Sequence, residues 1–474
     1  MTGTFMTTLI AGGTVISATG ADLADVLVDG EKIVAVLQPG SDIANSAAAS
    51  AEVIDATGKY VIPGGVDVHT HMETDIGPTV SSDTFETGTT AAAWGGTTTI
   101  VDFATQGFGE NVRASLDDTL GRAEGNCAID YGVHMVIGDV NDESLREMDI
   151  LVDEGISSFK LFMAYPGRLL SDDRQILQAM QQAAGNGAMI MMHAENGIAI
   201  DLLAEQAVAR GETDPVNHGY VRREALESEA TFRAIKLAEV GAAPLYIVHL
   251  SSSGALEQVA RARHEGANVF AETCPQYLYL SLEDHLGASG FDGAKYVCST
   301  PLRSKHEHHH RDLWNGLRTN ALSVVATDHC PFCMNDQKDL GTADFRDIPN
   351  GIGGVEHRID LLYQGVVTGE ITLPRWVELC STTPARMFGM YPQKGTIQPG
   401  ADADIVIYDP NATTTISADT HHMNMDYSAY EGFTIDGKVD TVISRGTVLV
   451  ANNTFHGRTG HGRYIKRGLS QYLT

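Results

Sequence analysis

The chain has 474 residues, 43% of them hydrophobic and 20% charged, a composition that is ordinary for a globular protein of more than one domain. Its 61 acidic and 32 basic residues give a net charge of −29, which argues against nucleic acid or an anionic membrane as a partner. Six cysteines are too few for a disulfide framework, no apolar run reaches the roughly 18 residues of a membrane span, and the N-terminus lacks the basic start of a signal peptide. We therefore expect a cytoplasmic protein with no membrane and no nucleic-acid partner.

Short strands separated by turn residues characterise both ends of the chain. Residues 7–62 contain TTLIAGGTVI, ADVLVDGEKIVAV and AEVIDATGKYVI, and residues 396–455 contain ADADIVIYDP and VDTVISRGTVLVANNTF. Neither end has enough strands to form a stable sandwich alone, so we predict that residues 1–62 and 396–455 together form one small β-sandwich domain. Residues 456–474 are basic and are expected to extend over the surface or onto a neighbouring subunit.

Between these ends, eight apolar, β-branched segments alternate with helix-like segments. The predicted strands are 64–71, 97–103, 131–139, 157–164, 188–195, 244–251, 268–275 and 322–329. The predicted helices include 82–94, 171–184, 222–240, 254–264, 354–368 and 373–388. This alternation predicts parallel β-α units, and eight of them predict a closed (β/α)8 TIM barrel over residues 63–395. The expected fold class is α/β, a catalytic barrel with a smaller β-sandwich domain built from both chain ends.

Two histidines one residue apart end the first predicted barrel strand, in GGVDVHTH. Because alternate side chains of a strand point to the same face, His69 and His71 are expected to project side by side, and two neutral imidazoles suit a metal ion. Barrels of this type carry their active sites at the carboxyl ends of the strands, where His193, His249 and Asp328 also lie. Each alone is typical of an ordinary packed residue, but together they predict a metal site.

A lysine on the fourth predicted strand, Lys160 in SSFKLFMAYP, does not fit among metal ions as a cation. Burial and nearby cations lower the pKa of a lysine, and the neutral amine can react with carbon dioxide. The resulting carbamate is an anion with two oxygens, able to bridge two metals. Lys160 is therefore either a surface or ion-paired lysine or a carboxylated metal ligand.

Other polar residues are interpreted as structural. Asp102, Glu272 and His329 sit near strand ends and are expected to support the ligands rather than to act in catalysis. His134 lies within a strand and is expected to pack in the core. The histidines of SKHEHHHRDLW, at 306 and 308–310, are expected to lie on a solvated helix face.

The motifs together resemble those of the cyclic amidohydrolases, specifically the dihydropyrimidinase/D-hydantoinase family. The resemblance runs over nearly the whole length, and its motifs occur in family order: GGVDVHTH, SFKLFMAY, MMHAEN, LYIVHLSS, ETCPQYL, VATDHCPF, IPNGIGGVE and YPQKGTIQPGADADIVI. It implies a centre of two divalent metal ions, usually Zn²⁺, bridged by a CO2-derived carbamate on Lys160. It implies one metal at His69, His71 and Asp328, and the other at His193 and His249.

The resemblance also implies the reaction, hydrolysis of the cyclic amide bond of dihydropyrimidines or 5-substituted hydantoins to N-carbamoyl amino acids. Positions matching Tyr165, Ser299 and Asn350 would hold this small cyclic ureide substrate. Hydroxide generated between two metals would attack the ring carbonyl. Asp328 can take up the hydroxide proton and pass it to the leaving nitrogen, while the Tyr165 phenol can donate to the developing oxyanion. Family members are usually homotetramers, so we expect a homotetramer.

Departures from the family pattern leave the ring substituent and the preferred enantiomer open. Thr74 and Asp75 stand where bulkier apolar residues are usual, and Thr300 stands where proline is common. One alternative is an allantoinase or another cyclic-ureide amidohydrolase. Comparing turnover of allantoin with turnover of dihydrouracil would distinguish this alternative from a dihydropyrimidinase or hydantoinase. A remote alternative is a catalytically inactive signalling relative, although all six predicted ligand positions are intact.

Overall fold

A computed structural model describes residues 7–473 of the chain, so the parts of the domain predictions that fall on residues 1–6 and 474 lie outside the described residues. The strands are β1 (Thr8–Ser17), β2 (Gly20–Asp29), β3 (Lys32–Leu37), β4 (Glu52–Asp55), β5 (Tyr60–Pro63), β6 (Gly65–Thr70), β7 (Thr97–Gln106), β8 (Asp130–Ile137), β9 (Ser158–Phe162), β10 (Met189–His193), β11 (Leu245–Ile247), β12 (Val269–Thr273), β13 (Val324–Val325), β14 (Ile405–Thr415), β15 (Thr434–Ser444), β16 (Thr447–Ala451) and β17 (Thr454–Phe455). The α-helices are α1 (Asp42–Ala48), α2 (Phe85–Trp94), α3 (Val112–Ala123), α4 (Asp142–Asp153), α5 (Asp173–Asn186), α6 (Gly197–Ala209), α7 (Asn217–Val221), α8 (Glu224–Gly241), α9 (Ser253–His264), α10 (Pro275–Tyr279), α11 (His309–Thr319), α12 (Arg358–Val367), α13 (Leu373–Val377) and α14 (Thr383–Met387). Short 3₁₀ segments cover Asp292–Tyr296, Lys338–Gly341 and Phe345–Asp347, and π-helical turns cover Leu282–Leu286 and Glu378–Thr382.

The eight strands β6 to β13 form a parallel sheet in chain order. A parallel bridge between Thr70, at the end of β6, and His329, beyond β13, joins the last strand to the first. His71 N also donates to His329 O at 2.8 Å. The predicted (β/α)8 barrel is therefore confirmed, and the carboxyl ends of all eight strands face the same end of the barrel.

Seven of the eight barrel strands are shorter than predicted, and the two shortened most are β11 and β13. Just beyond them the backbone turns into the left-handed region, with φ of 37° at His249 and 52° at Asp328. Left-handed residues cannot continue a pleated ladder, so pairing stops before these two residues. The strand ends are thereby converted into short loops that carry the two side chains.

Helices surround the barrel close to the predicted segments. Thr84 caps α2 and Asp172 caps α5, each side chain accepting from the backbone N–H three residues on. The segment predicted as one helix from residue 373 to residue 388 is instead divided into α13, a π-helical turn and α14. Pro384, which has no backbone N–H to donate to an α-helical ladder, stands in the first turn of α14.

Both chain ends contribute to a second, mixed sheet of nine strands, in the order β17-β16-β15-β14-β5-β1-β2-β3 with β4 beside β1. The two ends meet where β14 pairs antiparallel with β5, from Ile405 opposite Pro63 to Tyr408 opposite Tyr60. This sheet has its own buried apolar cluster, with members from both ends of the chain. The fold class, an α/β barrel with a smaller β-rich unit, is confirmed, while the domain boundaries remain a prediction.

The carboxyl-terminal segment lies across the amino-terminal end of the barrel. Tyr464 bridges Tyr131 at the start of β8, Ile465 joins the apolar cluster inside the barrel, and the Arg467 guanidinium donates to Val133 O at 2.6 Å. Of the two predicted positions for this segment, the chain's own surface is the one observed for the described residues. Within residues 7–473, no helix combines the length and apolar character that a membrane crossing requires.

Candidate metal centre and substrate cavity

A cavity of about 510 Å³ opens at the carboxyl ends of the barrel strands. Eight of the nine predicted site residues line it, namely His71, Lys160, Tyr165, His193, His249, Ser299, Asp328 and Asn350. The ninth, His69, is fully buried in β6 and contacts two of the lining residues, Lys160 and Asp328. The structure therefore brings all nine residues into one region.

His69, His71 and Asp328 form the first of two candidate metal-binding groups, with ligand atoms that all lie within 4.8 Å of one another. Asp328 Oδ1 lies 3.1 Å from His69 Nε2 and 3.2 Å from His71 Nε2. Lys160 Nζ lies 3.0 Å from His69 Nε2. The lysine of β9 therefore reaches the same point as the two histidines of the first strand.

His193 and His249 form the second candidate group. His193 Nδ1 lies 2.9 Å from His249 Nε2. The ring centroid of His249 also lies 5.5 Å from that of His69, so the two groups are adjacent. This division corresponds to the two ligand sets that the family resemblance implies.

The protonation states of these side chains fit a divalent cation. Burial lowers the pKa of all four histidines, which keeps the imidazoles in the neutral form that binds metals. Burial opposes ionisation of Asp328, but the neighbouring His69, His71 and His249 hold its pKa well below the usual range. The Nδ1 atoms of His71 and His249 are buried without a hydrogen-bond partner among the described residues. The donor set is thus neutral imidazoles plus a carboxylate, which suits a metal such as zinc.

Lys160 is an unusual lysine because it is only 1% exposed and, among the described residues, makes no ion pair with a carboxylate within 4.0 Å. Its Nζ lies 4.2 Å from the ring centroid of Phe103 and 5.0 Å from that of Phe162. Burial lowers the pKa of Lys160 to about 8, so the reactive neutral amine is accessible near neutral pH. Of the two interpretations open from sequence, an ordinary surface or ion-paired lysine does not describe this side chain.

Tyr165, Ser299 and Asn350 lie together on the cavity wall. Asn350 Nδ2 donates to Ser299 Oγ at 3.1 Å. Burial raises the pKa of Tyr165, an effect that the neighbouring Arg222 guanidinium reduces only in part. The phenol therefore stays protonated and can act as a donor. Tyr165 also has a left-handed backbone, with φ of 64°, a strained conformation of the kind that clusters at functional sites.

Glu272, one of the expected supporting residues, contacts a candidate ligand directly. Its Oε1 is hydrogen-bonded to His69 Nδ1, and its Oε2 accepts from the Tyr246 hydroxyl at 2.8 Å. A carboxylate on Nδ1 directs the Nε2 lone pair of His69 toward the metal position. Asp102 instead holds the chain around His71, because it accepts from Thr70 Oγ1 at 2.7 Å and from Met72 N at 3.0 Å.

His329 and His134 have structural partners. His329 Nε2 lies 3.1 Å from Asp83 Oδ2, away from the candidate metal groups. His134 is fully buried inside the barrel, and its Nε2 lies 3.0 Å from Val68 O. The arrangement of His134 agrees with the core role expected from sequence. Among the described residues, the side chain of His329 makes no hydrogen bond to a candidate ligand, and only its backbone oxygen, which accepts from His71 N, reaches one.

Glu195 and Arg222 are two site residues that the sequence analysis missed. Glu195 Oε2 lies 2.8 Å from His193 Nε2 and 2.7 Å from an Arg222 nitrogen. Burial opposes ionisation of Glu195, but Arg222 and His193 hold its pKa below the usual range. Glu195 therefore orients His193 as Glu272 orients His69. Glu195 follows His193 by two residues in MMHAEN, a spacing that places both side chains on one face of an extended strand. The sequence could therefore have predicted that Glu195 lies beside His193.

The residues that depart from the family pattern lie in or next to the site. Thr74 and Asp75 line the cavity, at the position expected to shape the space for a ring substituent. Thr300 Oγ1 donates to His249 O at 3.0 Å, so this residue supports the loop of a candidate ligand.

The histidine-rich segment that leads into α11 is only partly exposed, and the prediction of a solvated face was wrong for His309 and His310, the first two residues of that helix. His309 is 2% exposed, and its Nδ1 accepts from Ser253 N at 3.1 Å. His310 Nε2 lies 2.9 Å from Leu280 O. The first turn of α11 carries these two rings against α9 and α10, a packing that the local polarity of the segment does not reveal.

Comparison with known proteins agrees with this geometry. The amidohydrolase family profile matches residues 60–449. A D-hydantoinase of Streptomyces coelicolor is 62% identical over 467 residues, which cover 98% of this chain and 99% of the relative. A D-hydantoinase of Geobacillus stearothermophilus is 45% identical over 464 residues, covering 98% and 97% of the two chains. The crystal structure of a dihydropyrimidinase from Brevibacillus agri is 46% identical with a TM-score of 0.94, covering 98% of this chain and 99% of that one. The chain belongs to the amidohydrolase family and, within it, to the dihydropyrimidinase/D-hydantoinase group.

Proposed function

We propose that this protein hydrolyses the cyclic amide bond of 5-substituted hydantoins or dihydropyrimidines and releases N-carbamoyl amino acids. The observation that carries the proposal is the convergence of six candidate metal ligands with Tyr165, Ser299 and Asn350 around one cavity. Relatives named D-hydantoinase and dihydropyrimidinase support the same substrate class.

We propose two divalent metal ions per chain, most consistent with Zn²⁺, because imidazole nitrogens and a carboxylate are ligands that zinc favours. His69, His71 and Asp328 would hold one ion, and His193 and His249 the other. When bound, the ions would lower the pKa of water so that hydroxide is available near neutral pH, and would polarise the ring carbonyl.

We propose that Lys160 carries a carbamate and supplies a ligand to both groups. The ammonium group first loses one proton to give the neutral amine. The amine nitrogen then attacks the carbon of CO2 and loses a second proton, which leaves an anion with two oxygens. The burial of Lys160, its lack of a carboxylate partner among the described residues and its 3.0 Å contact with His69 support this assignment. As a free ammonium it would repel the two metal ions.

The proposed proton transfers use Asp328 and Tyr165. Asp328, held ionised by its histidine neighbours, accepts the proton of the attacking hydroxide and delivers it to the leaving ring nitrogen. Tyr165, held protonated by burial, donates a hydrogen bond to the oxygen that gains negative charge. Both residues line the same cavity.

Ser299 and Asn350 are proposed to bind the ring. A cyclic ureide presents alternating N–H donors and C=O acceptors along one edge. The serine hydroxyl and the asparagine amide, along with their backbone groups, can each donate and accept, and their 3.1 Å contact presents them as one surface. On binding, hydrogen bonds to the N–H and C=O groups of the substrate ring would replace the hydrogen bond between Asn350 and Ser299.

A hydrolysis panel tests the proposed function. Dihydrouracil, both enantiomers of several 5-substituted hydantoins, and allantoin would be incubated with the protein, and N-carbamoyl products quantified. We expect opening of hydantoins or dihydrouracil, two metal ions per chain by elemental analysis, and loss of activity with a chelator. Intact rings, or turnover of allantoin alone, would reject the assignment, and a metal-free active protein would reject the metal centre.

We further propose a cytoplasmic homotetramer with the domain division 1–62 plus 396–455, 63–395 and 456–474. All six cysteines are free thiols, which suits a reducing compartment. Large apolar side chains are exposed on α6 and α7, with Ile198 at 69%, Leu202 at 54% and Tyr220 at 56%, and clustered exposed apolar residues favour association. Light scattering of the purified protein would give the number of chains, and a monomer would reject the assembly.

A further inference from the structure

A second fully buried lysine lies outside the metal centre. Lys338 begins the 3₁₀ segment Lys338–Gly341 and is 0% exposed. It makes no ion pair with a carboxylate within 4.0 Å among the described residues. Its Nζ instead donates to three backbone carbonyls, at 2.9 Å from Val297 O, 2.6 Å from Pro349 O and 2.9 Å from Gly351 O.

These three carbonyls belong to the two loops that carry the proposed ring-binding side chains, residues 297–299 and 349–351, which we call the ring-edge loops. Val297 precedes Ser299 by two residues, while Pro349 and Gly351 flank Asn350. The ring-edge loops also share one backbone hydrogen bond, from Gly351 N to Val297 O at 3.0 Å. Within residues 7–473, Lys338 is the only residue whose side chain donates to backbone carbonyls of both loops.

We propose that Lys338 is a positioning residue that holds the ring-edge loops together, so that Ser299 and Asn350 meet the substrate ring at a fixed spacing. The proposal rests on the proposed function for the role of these two residues, but its claim about the loops stands on the hydrogen bonds alone. Lys338 does not line the cavity, and none of its three hydrogen-bond partners is a candidate metal ligand.

The physical reason is the convergence of three carbonyl dipoles, whose negative ends meet at one buried point. Burial lowers the pKa of Lys338 to about 7, but three carbonyl oxygens at these distances call for three N–H donors, which only the ammonium form provides. Without a donor at this point, three buried acceptors are unsatisfied. The loops would then separate or admit water, and the spacing of Ser299 and Asn350 would no longer be fixed.

Other contacts limit how far the first loop can move when Lys338 is changed. His218 Nε2 lies 2.9 Å from Cys298 O, and the Tyr277 hydroxyl donates to Thr300 O at 2.7 Å. The candidate metal ligands come from the barrel strands and from the residues just beyond β6, β11 and β13, rather than from the ring-edge loops. A Lys338 variant is therefore expected to fold and bind metal while holding the ring less well, which appears in KM more than in kcat.

The first test is Lys338→Met, which keeps approximate volume and removes all three donors. We expect the KM for a hydantoin to rise about tenfold or more, with a smaller change in kcat and unchanged metal content. Arg375→Met is a matched control, because Arg375 is also buried and donates to the backbone carbonyls of Leu317 and Leu322 at 2.7 and 2.8 Å, outside the cavity lining. It is expected to lower Tm without raising KM. Lys338→Gln, which keeps an amide donor, provides a milder variant if Lys338→Met does not fold.

A double-mutant cycle and hydrogen exchange separate positioning from general stability. If Lys338 acts through Asn350, the effect of Lys338→Met on kcat/KM should be largely lost in an Asn350→Ala background. Amide exchange should accelerate in both ring-edge loops of the Lys338 variant and in neither loop of the Arg375 variant. Unchanged exchange, or additive kinetic effects with unchanged KM, would overturn the proposal. Accelerated exchange in a protein that opens no cyclic ureide would support the loop claim and reject the proposed function.

Discussion

Replacing Tyr165 with Phe is the most direct test of the proposed oxyanion donor, because it removes one oxygen and leaves the ring. The ring centroid lies 5.9 Å from that of Phe162, edge to face, and 5.5 Å from that of His193, and the phenyl ring retains both contacts. Burial keeps the wild-type phenol protonated, so the variant removes a donor and not a charge.

The expected effect on catalysis is larger than the effect on stability. Loss of one donor to a developing oxyanion lowers kcat by about 10²–10³, or about 2.7–4 kcal/mol of transition-state stabilisation. Tyr165 lines the cavity, and loss of one ordinary hydrogen bond there changes the free energy of unfolding by about 1 kcal/mol, which corresponds to a shift of a few degrees in Tm. A fall in kcat with a nearly unchanged Tm is therefore the expected signature.

The assay measures kcat and KM for a hydantoin, along with metal content and Tm. Tyr408→Phe is the matched control, because Tyr408 is a buried tyrosine of β14 in the mixed sheet. That variant should retain wild-type kcat. If Tyr165→Phe keeps kcat within about twofold of wild type while the control behaves as expected, the hydroxyl has no role in the oxyanion step.

Three further changes have defined outcomes. Lys160→Arg should stay folded but lose metal and activity, because guanidinium cannot form a carbamate, and Lys160→Ala should regain part of both with acetate or propionate; a fully active Arg variant would end the carbamate assignment. Glu272→Gln should weaken metal binding about 10- to 100-fold, because the carboxylate that orients His69 is lost; titration with limiting Zn²⁺ measures this, and wild-type affinity would contradict it. Burial raises the pKa of Asp360 to about 7, so between about pH 4 and pH 7 the folded chain keeps a proton that the unfolded chain has released, and the free energy of unfolding falls as the pH rises. Asp360→Asn should remove this fall. If urea unfolding shows the same difference in stability between wild type and variant at every pH, the prediction is wrong.

The barrel could be predicted from sequence because its signals are local. Eight apolar runs of strand length occur between helix-like segments, and parallel pairing of such units has few solutions. The details that failed depend on neighbours far along the chain. The left-handed backbone at His249 and Asp328 shortens β11 and β13. The division of the segment from residue 373 to 388 is different, because Pro384 is a local signal that the prediction of a single helix did not use.

The candidate ligands could be located for a similar reason, since parallel strands bring their carboxyl ends to one edge of the sheet. Glu195 shares a face with His193 and was within reach of the same reasoning. Arg222 and Lys338 were not, because they lie in a connection after α7 and in a 3₁₀ segment, where no period relates a side chain to the barrel strands.

By itself, the sequence determined the eight-unit barrel, the pairing of the two chain ends into a β-rich unit, and the residue types that gather at the strand ends. The spacing of apolar residues along the chain distinguishes strands from helices, so these features follow from local sequence. Only the tertiary structure decided which nitrogen and oxygen atoms of the candidate ligands converge. It also decided that Lys160 has no carboxylate partner among the described residues and that Lys338 donates to three carbonyls of two separate loops. These contacts join residues distant in the chain, and their distances depend on how helices and loops pack around the barrel, which no local pattern specifies.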